Sequence, residues 1–254
     1  CDSVYQKRQQ AYAEYTAGLE ANKLKAAALC EEVERAAALS GIPLLEGAAK
    51  ISEWRSAFDA LDEMPRTEAR GLHNRFERAI DLCRARVAEQ HARDTEQSFT
   101  NLFEAARSVN AYEWAVLQGA EPSDRETLKQ SAESFIAGVR QWPKEGLKAI
   151  KESLARSGST ADIDLGAREK ALRLLCVRGE IRSELSTPAE DEALRREHQV
   201  QRLMQGMGQG VIADHGEWDA MALEWIRTGA VAPDLHDKLR DRFMRCWKKR
   251  PVGS

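Results

Sequence analysis

Apolar residues recur at three- and four-residue intervals through most of the chain, the period of a helix with one buried face. Residues 4–38 read as one uninterrupted helix with two heptad rows. Tyr5, Tyr12, Leu19, Ala26 and Val33 form one row, and Tyr15, Leu29 and Ala36 the other. Asn22 falls in the second row, where a polar residue either sets the register of a coiled-coil seam or faces solvent. Ser40-Gly41-Ile42-Pro43 ends that segment. Ile51, Trp54, Phe58 and Leu61 predict a helix over 46–63, followed by a turn at Met64-Pro65-Arg66-Thr67 with Thr67 as N-cap. The next helix presents Leu72, Phe76, Ile80, Cys83 and Val87. Residues 88–97 form a polar stretch with no apolar face, so the helix there either projects into solvent or loosens. A new stripe follows at Phe99, Leu102, Phe103, Ala106, Val109, Trp114 and Leu117.

The second half continues in the same period. Leu128, Phe135, Ile136 and Val139 predict a helix that ends at Trp142-Pro143, and Leu147, Ile150 and Leu154 a shorter one. Ser157-Gly158-Ser159-Thr160 has the composition of a linker and reads as a hinge. Leu172, Leu175, Cys176 and Ile181 mark a helix over 164–185. Thr187-Pro188-Ala189-Glu190 has the form of a capping box opening the helix that carries Leu194, Val200, Leu203, Met204 and Met207. Gly206, Gly208 and Gly210 end it, and helices over 217–228 and 234–249 complete the chain. No segment reads as a strand. The expected fold is all-α: an elongated bundle of helical hairpins with coiled-coil-like helices.

Composition sharpens this picture. Charged residues make up 31% of the 254, and Gly and Pro number only 16 and 7, which favours long surface-rich helices. The five cysteines, Cys1, Cys30, Cys83, Cys176 and Cys246, stand far apart, with neither metal-ligand nor disulfide-framework spacing. They read as reduced, mostly buried thiols of a cytoplasmic protein. No apolar run is long enough for a bilayer, and no signal-peptide pattern is visible. Cys1-Asp2 matches a processed lipoprotein start. The lack of a leading Met and the mid-helix character of the residues after Asp2 instead suggest a chain that begins inside a longer one.

One pattern occurs twice. Glu53-Trp54-Arg55, Pro65 and Arg75-Phe76 are echoed by Glu224-Trp225, Arg227, Pro233 and Arg242-Phe243. A weaker match aligns 1–31 with 80–110 and pairs Asn22 with Asn101. These residues resemble the bacterial family called domain of unknown function 349, whose repeats carry Glu-Trp, a proline turn and Arg-Phe on a long helix. Asn22-Lys23 with Lys25 resembles the far end of a preceding copy. The stretch 176–209, with Ser186-Thr187-Pro188-Ala189-Glu190-Asp191, Arg195, Gln199 and Arg202-Leu203, resembles an inter-repeat linker. Phe58 and Asp59 depart from the usual pattern, which has a glycine there. The resemblance implies helices and a bacterial origin, and it transfers no catalytic residue. The expected organisation is a distal helix of a preceding repeat (1–41), a first Trp/Arg-Phe repeat (42–119), connecting helices (120–156), inter-repeat helices (161–210) and a second repeat (211–254).

Trp54, Phe76, Trp225 and Phe243 sit on apolar stripes and are expected as core anchors rather than base-stacking platforms. Arg75 and Arg242 are expected to pair with Glu53 and Glu224. Residues 238–250 hold Lys238, Arg240, Arg242, Arg245, Lys248, Lys249 and Arg250 against Asp241, a balance of +6 in a chain of net charge −3. With Leu239, Phe243, Cys246 and Trp247 turned inward, Arg242, Arg245, Lys248, Lys249 and Arg250 are the candidate nucleic-acid contacts. The plainer alternative is a helix end whose cations complement the dipole. Asp214-His215-Gly216-Glu217 gathers titratable groups without further ligands at metal spacing, and Gly206-Met207-Gly208-Gln209-Gly210 reads as a helix cap rather than a phosphate loop. Neither a cofactor nor a catalytic constellation is legible. The expected function is a non-catalytic scaffold or interaction module that meets a protein partner or a second copy through helix faces, with no membrane contact. The alternatives are a nucleic-acid- or ribosome-associated factor using 238–250, and an enzyme whose site the sequence does not display.

Overall fold

A computed structural model describes residues 2–157, 163–206 and 216–250. Among them the ordered elements are helices throughout. In chain order they are α1 (Asp2–Ala37), α2 (Ile42–Ala48), α3 (Ile51–Asp59), α4 (Arg66–Leu117), α5 (Pro122–Gly138), α6 (Gly146–Arg156), α7 (Leu165–Arg182), a 3-10 turn (Ala189–Asp191), α8 (Glu192–Gly206), α9 (Gly216–Thr228) and α10 (Pro233–Lys248). No described helix is long and apolar enough to cross a membrane.

Three prolines start helices. Pro43, Pro122 and Pro233 each occupy the first turn of a helix, where a missing N–H costs nothing. The segment expected as one helix over 46–63 is two, α2 and α3, parted at Ala49-Lys50, and α2 is entered through Gly41 at a φ of 62°. Thr67 is not the N-cap of α4, because that helix already begins at Arg66 and the Pro65 carbonyl accepts the Glu68 and Ala69 amides. α4 continues unbroken through the polar stretch 88–97. Helical hydrogen bonds are internal to the segment, so they persist where no apolar face is required.

The chain divides into two compact units, Cys1–Asp94 and Thr95–Ser254. The boundary lies in the polar stretch of α4, whereas both sides of the expected hinge at 157–160 belong to the second unit; residues 158–160 lie outside the described ones. The first unit packs Ala26, Cys30 and Val33 of α1 against Leu44, Trp54, Phe58, Phe76 and Ile80. The second packs Phe99, Leu102, Phe103 and Val109 against Ile150, Leu172, Leu175, Met221, Trp225, Phe243 and Trp247. Burying each of the large side chains contributes about 1.5–3 kcal/mol.

Three inter-helix turns are fastened in the same way. Each has a proline, and an asparagine side chain donates to the carbonyl two residues before it. Asn22 binds the Glu63 carbonyl at 3.0 Å ahead of Pro65, Asn101 binds that of Gln141 at 3.1 Å ahead of Pro143, and Asn110 binds that of Val231 at 3.1 Å ahead of Pro233. Asn110 also accepts the Val231 amide at 3.1 Å. Asn22 thus serves as a turn fastener within its own unit.

Candidate functional site

The two Trp/Arg-Phe segments are built on one local plan. On α1, Leu29-Cys30 is followed four residues after the cysteine by Glu34, and on α7 Leu175-Cys176 is followed in the same way by Glu180. On the facing helices, Leu72 precedes Arg75-Phe76 and Leu239 precedes Arg242-Phe243. The thiol of Cys30 donates to the Leu72 carbonyl at 3.7 Å, and that of Cys176 to the Leu239 carbonyl at 3.3 Å. Arg75 grips Glu34 with both prongs of its guanidinium, Nε at 2.8 Å and Nη2 at 2.6 Å. Arg242 grips Glu180 through the same two nitrogens, at 2.6 and 2.9 Å. A fork of this kind is the strongest ordinary geometry for an arginine–carboxylate pair.

The environments differ. The Arg75 and Glu34 side chains are 40% and 41% exposed, those of Arg242 and Glu180 only 7% and 4%. The buried fork recruits more partners: Asp191 accepts from Arg242, Thr187 donates to Glu180 at 2.7 Å, and Arg195 binds the Thr187 hydroxyl at 2.8 Å. Burial opposes the charge on Arg242, but its bonds to Glu180 and Asp191 outweigh that and raise its pKa above the ordinary range. These contacts correct the sequence reading in three places. Arg75 and Arg242 pair with Glu34 and Glu180, not with Glu53 and Glu224; Glu224 instead holds Arg178 at 2.6 Å. Thr187 is drawn into the ion network rather than capping a helix, and Pro188 occupies the N-cap position. Arg242 faces the interior, so it is not on the outer basic row.

The four aromatic anchors are interior: Trp54, Phe76, Trp225 and Phe243 are all buried. Phe76 stacks on Phe58 with centroids 4.3 Å apart, and Phe243 touches Phe103, Trp218 and Trp225 at 5.5, 6.0 and 5.4 Å. The indole N–H of Trp54 donates to Glu32 at 3.1 Å, and that of Trp225 to His236 Nε2 at 3.4 Å.

A related arrangement lies within the second unit. Glu113 stands twelve residues after Asn101, as Glu34 stands twelve after Asn22, but Ser153 occupies the place relative to Pro143 that Arg75 occupies relative to Pro65. Arg168 of α7 supplies the missing guanidinium, 2.7 Å from Glu113, whose other oxygen accepts the Ala230 amide at 3.1 Å. Gly229 is obligatory beside it. Its φ is 90°, and a Cβ there would lie 2.5 Å from the Arg168 guanidinium carbon. The adjoining cavity, lined by Asn110, Glu113, Ser153, Trp225 and His236 among others, measures about 20 Å³, room for one water molecule.

The outer side of α10 contrasts with this closed interior. Arg240 is held by Glu104 and Asp241, at 3.1 and 3.0 Å. Arg250 lies over the Trp247 ring at 3.3 Å and donates to that residue's carbonyl. Lys238, Arg245, Lys248 and Lys249 are exposed, and among the described residues none of the four pairs with a carboxylate. Arg245, Lys248 and Lys249 border an open groove of about 560 Å³ between α10 and residues 185–188, with Glu180, Arg242 and Cys246 among its lining. Of the five cations singled out in the sequence, then, Arg245, Lys248 and Lys249 reach solvent unpaired, while Arg242 and Arg250 are engaged. Lys238 joins the row, having been read only as part of the local charge.

Cys30, Cys83, Cys176 and Cys246 are free and buried. Burial raises the pKa of all four, Cys246 to about 11, which keeps them as thiols rather than nucleophilic thiolates. Among the described residues no cluster of His, Cys, Asp or Glu is arranged to hold a metal. Asp214 and His215 lie outside the described residues, as do 207–210 of the glycine run. What the sequence reading missed was the paired Leu-Cys-x-x-x-Glu motif. It was visible as a second echo, but its partners lie 41 and 62 residues away along the chain. No family model matches this chain, and no curated protein or solved structure does either.

Proposed function

We propose that this chain is a non-catalytic helical-repeat module that docks another protein surface, in the first instance a second copy of itself. The two Arg–Glu clasps and the three asparagine-fastened turns support reading the units as variants of one repeat. That agrees with the resemblance to a bacterial helical family of unknown function, and the four free buried thiols suit a reducing cytoplasm. In this reading the aromatic and ionic residues of the interior build the scaffold, and the outer helix faces carry the function.

The observation that carries the reading is the leading half of α1. Val4, Tyr5, Tyr12 and Tyr15 are 59%, 68%, 69% and 54% exposed on a helix whose later turns are packed. Tyr5 and Tyr12 are one heptad apart, in row with Leu19. Tyrosine offers large contact area at low entropic cost, which suits a docking face. Lys7, Arg8 and Glu14 are the only charges over 3–18, so the face does not repel a copy of itself. The test is sedimentation velocity across a concentration series. The wild type is expected to shift from monomer to dimer, and Tyr5→Glu/Tyr12→Glu to stay monomeric with unchanged helical circular dichroism. A wild type that remains monomeric at every concentration contradicts the proposal.

A further inference from the structure

We propose that the outer face of α10 is a docking stripe for the phosphodiester backbone of a nucleic-acid double helix, read without regard to base sequence. This goes beyond the reading above and rests on a different helix. Lys238, Arg245, Lys248 and Lys249 fall within roughly 100° of the helix circumference and span about 16 Å of its length. One strand of a duplex presents a phosphate about every 3.4 Å of axis, so the stripe faces roughly five phosphates.

The chain carries its own control. With Phe76 set against Phe243, the positions equivalent to Lys238, Asp241, Arg245, Lys248 and Lys249 are Gly71, Asn74, Arg78, Asp81 and Leu82. All ten are exposed. The first set holds four cations and one acid, Asp241, which is itself bound by Arg240; the second holds one cation and one acid. A helix segment with the same inward Leu-x-x-Arg-Phe motif therefore packs without an outer basic row, and that motif does not require the row. Nor does the helix dipole explain all of it. The dipole acts within the last turn, and Lys238 lies ten residues before the end of α10.

The side chains also point to a class of ligand. Three of the four cations are lysines, compact point charges that bind phosphates without fixing a geometry, as a contact blind to base sequence requires. Among the described residues no exposed aromatic ring lies on α10, so the face lacks the platform on which splayed single-stranded bases stack. A backbone reader of duplexes fits both facts. The groove against residues 185–188 gives the backbone a second wall, and the buried Arg242–Glu180–Asp191 network fixes that wall to α10.

Fluorescence anisotropy with a short labelled RNA duplex, a DNA duplex of the same length and poly-glutamate tests this. The wild type is expected to bind a duplex at low salt, with log K falling against log salt at a slope between about −3 and −4. The Lys238→Gln/Arg245→Gln/Lys248→Gln/Lys249→Gln variant is expected to bind at least tenfold more weakly, with most of the salt slope gone. Arg78→Gln, at the equivalent place in the first segment, is expected to bind as the wild type does. Binding to either duplex supports the proposal, and the tighter of the two names the source of the phosphates. No duplex binding at low salt, a four-site variant as tight as wild type, or poly-glutamate bound as well as the duplexes would each overturn it.

Discussion

His236 is the residue whose chemistry is most constrained by its surroundings. Its Nε2 accepts the Trp225 indole N–H at 3.4 Å, which requires a neutral ring with the proton on Nδ1. Burial lowers its pKa to about 4, against the opposing pull of Asp237, whose carboxylate lies 3.7 Å from Nδ1. The unfolded chain takes up a proton near pH 6.5 and the folded one does not until about 4. Stability is therefore complete above pH 6.5 and declines as pH falls towards 4, by on the order of 3 kcal/mol from this group. His198, also lowered by burial, adds in the same direction. Urea unfolding at a series of pH values checks this. His236→Gln is expected to flatten the loss between pH 6.5 and 4, and an unchanged slope would show that the ring is not buried as a neutral base.

At the scale of elements, the same fork joins helix pairs in two media. Arg242→Ala leaves Glu180 buried with only the Thr187 hydroxyl and no cation, and Asp191 with Arg173 alone, at an expected cost of about 3–5 kcal/mol. Arg75→Ala frees a half-exposed Glu34 that water can solvate, at an expected cost below about 1 kcal/mol. Chemical denaturation of the two variants side by side measures the difference, and similar losses would contradict it. This contrast also marks what the sequence could reveal. Helix identity and the inward stripes follow from local period, so the all-α class and the faces carrying Trp54, Phe76, Trp225 and Phe243 were legible. The partners of Arg75, Arg242 and Asn22 were not, because each is fixed by which helix lies opposite, some 40 to 60 residues away. The inward turn of Arg242 was misjudged for a related reason. A charged residue beside an apolar stripe is assigned to the surface unless its buried carboxylate is known. Asn22 and Asn101 aligned in sequence, yet the carbonyls they fasten, of Glu63 and Gln141, are marked only by the proline two residues on.

At the scale of the whole molecule, the proposed binding belongs to surfaces rather than to a cleft, and α10 has both a buried and an exposed side. Its inner side supplies Leu239, Arg242, Phe243 and Cys246 to the core, and its outer side offers Lys238, Arg245, Lys248 and Lys249 to solvent. Conversion of those four cations to glutamine should therefore leave stability intact while removing a ligand. Thermal unfolding with and without a saturating nucleic-acid duplex reads both sides at once, because a ligand that binds only the folded chain raises Tm. The expected result is a four-site variant that melts with the wild type when alone and fails to gain the duplex-induced rise the wild type shows. A variant that melts well below the wild type on its own, or that gains the same rise with duplex, would contradict the division of α10 into a structural face and a binding face.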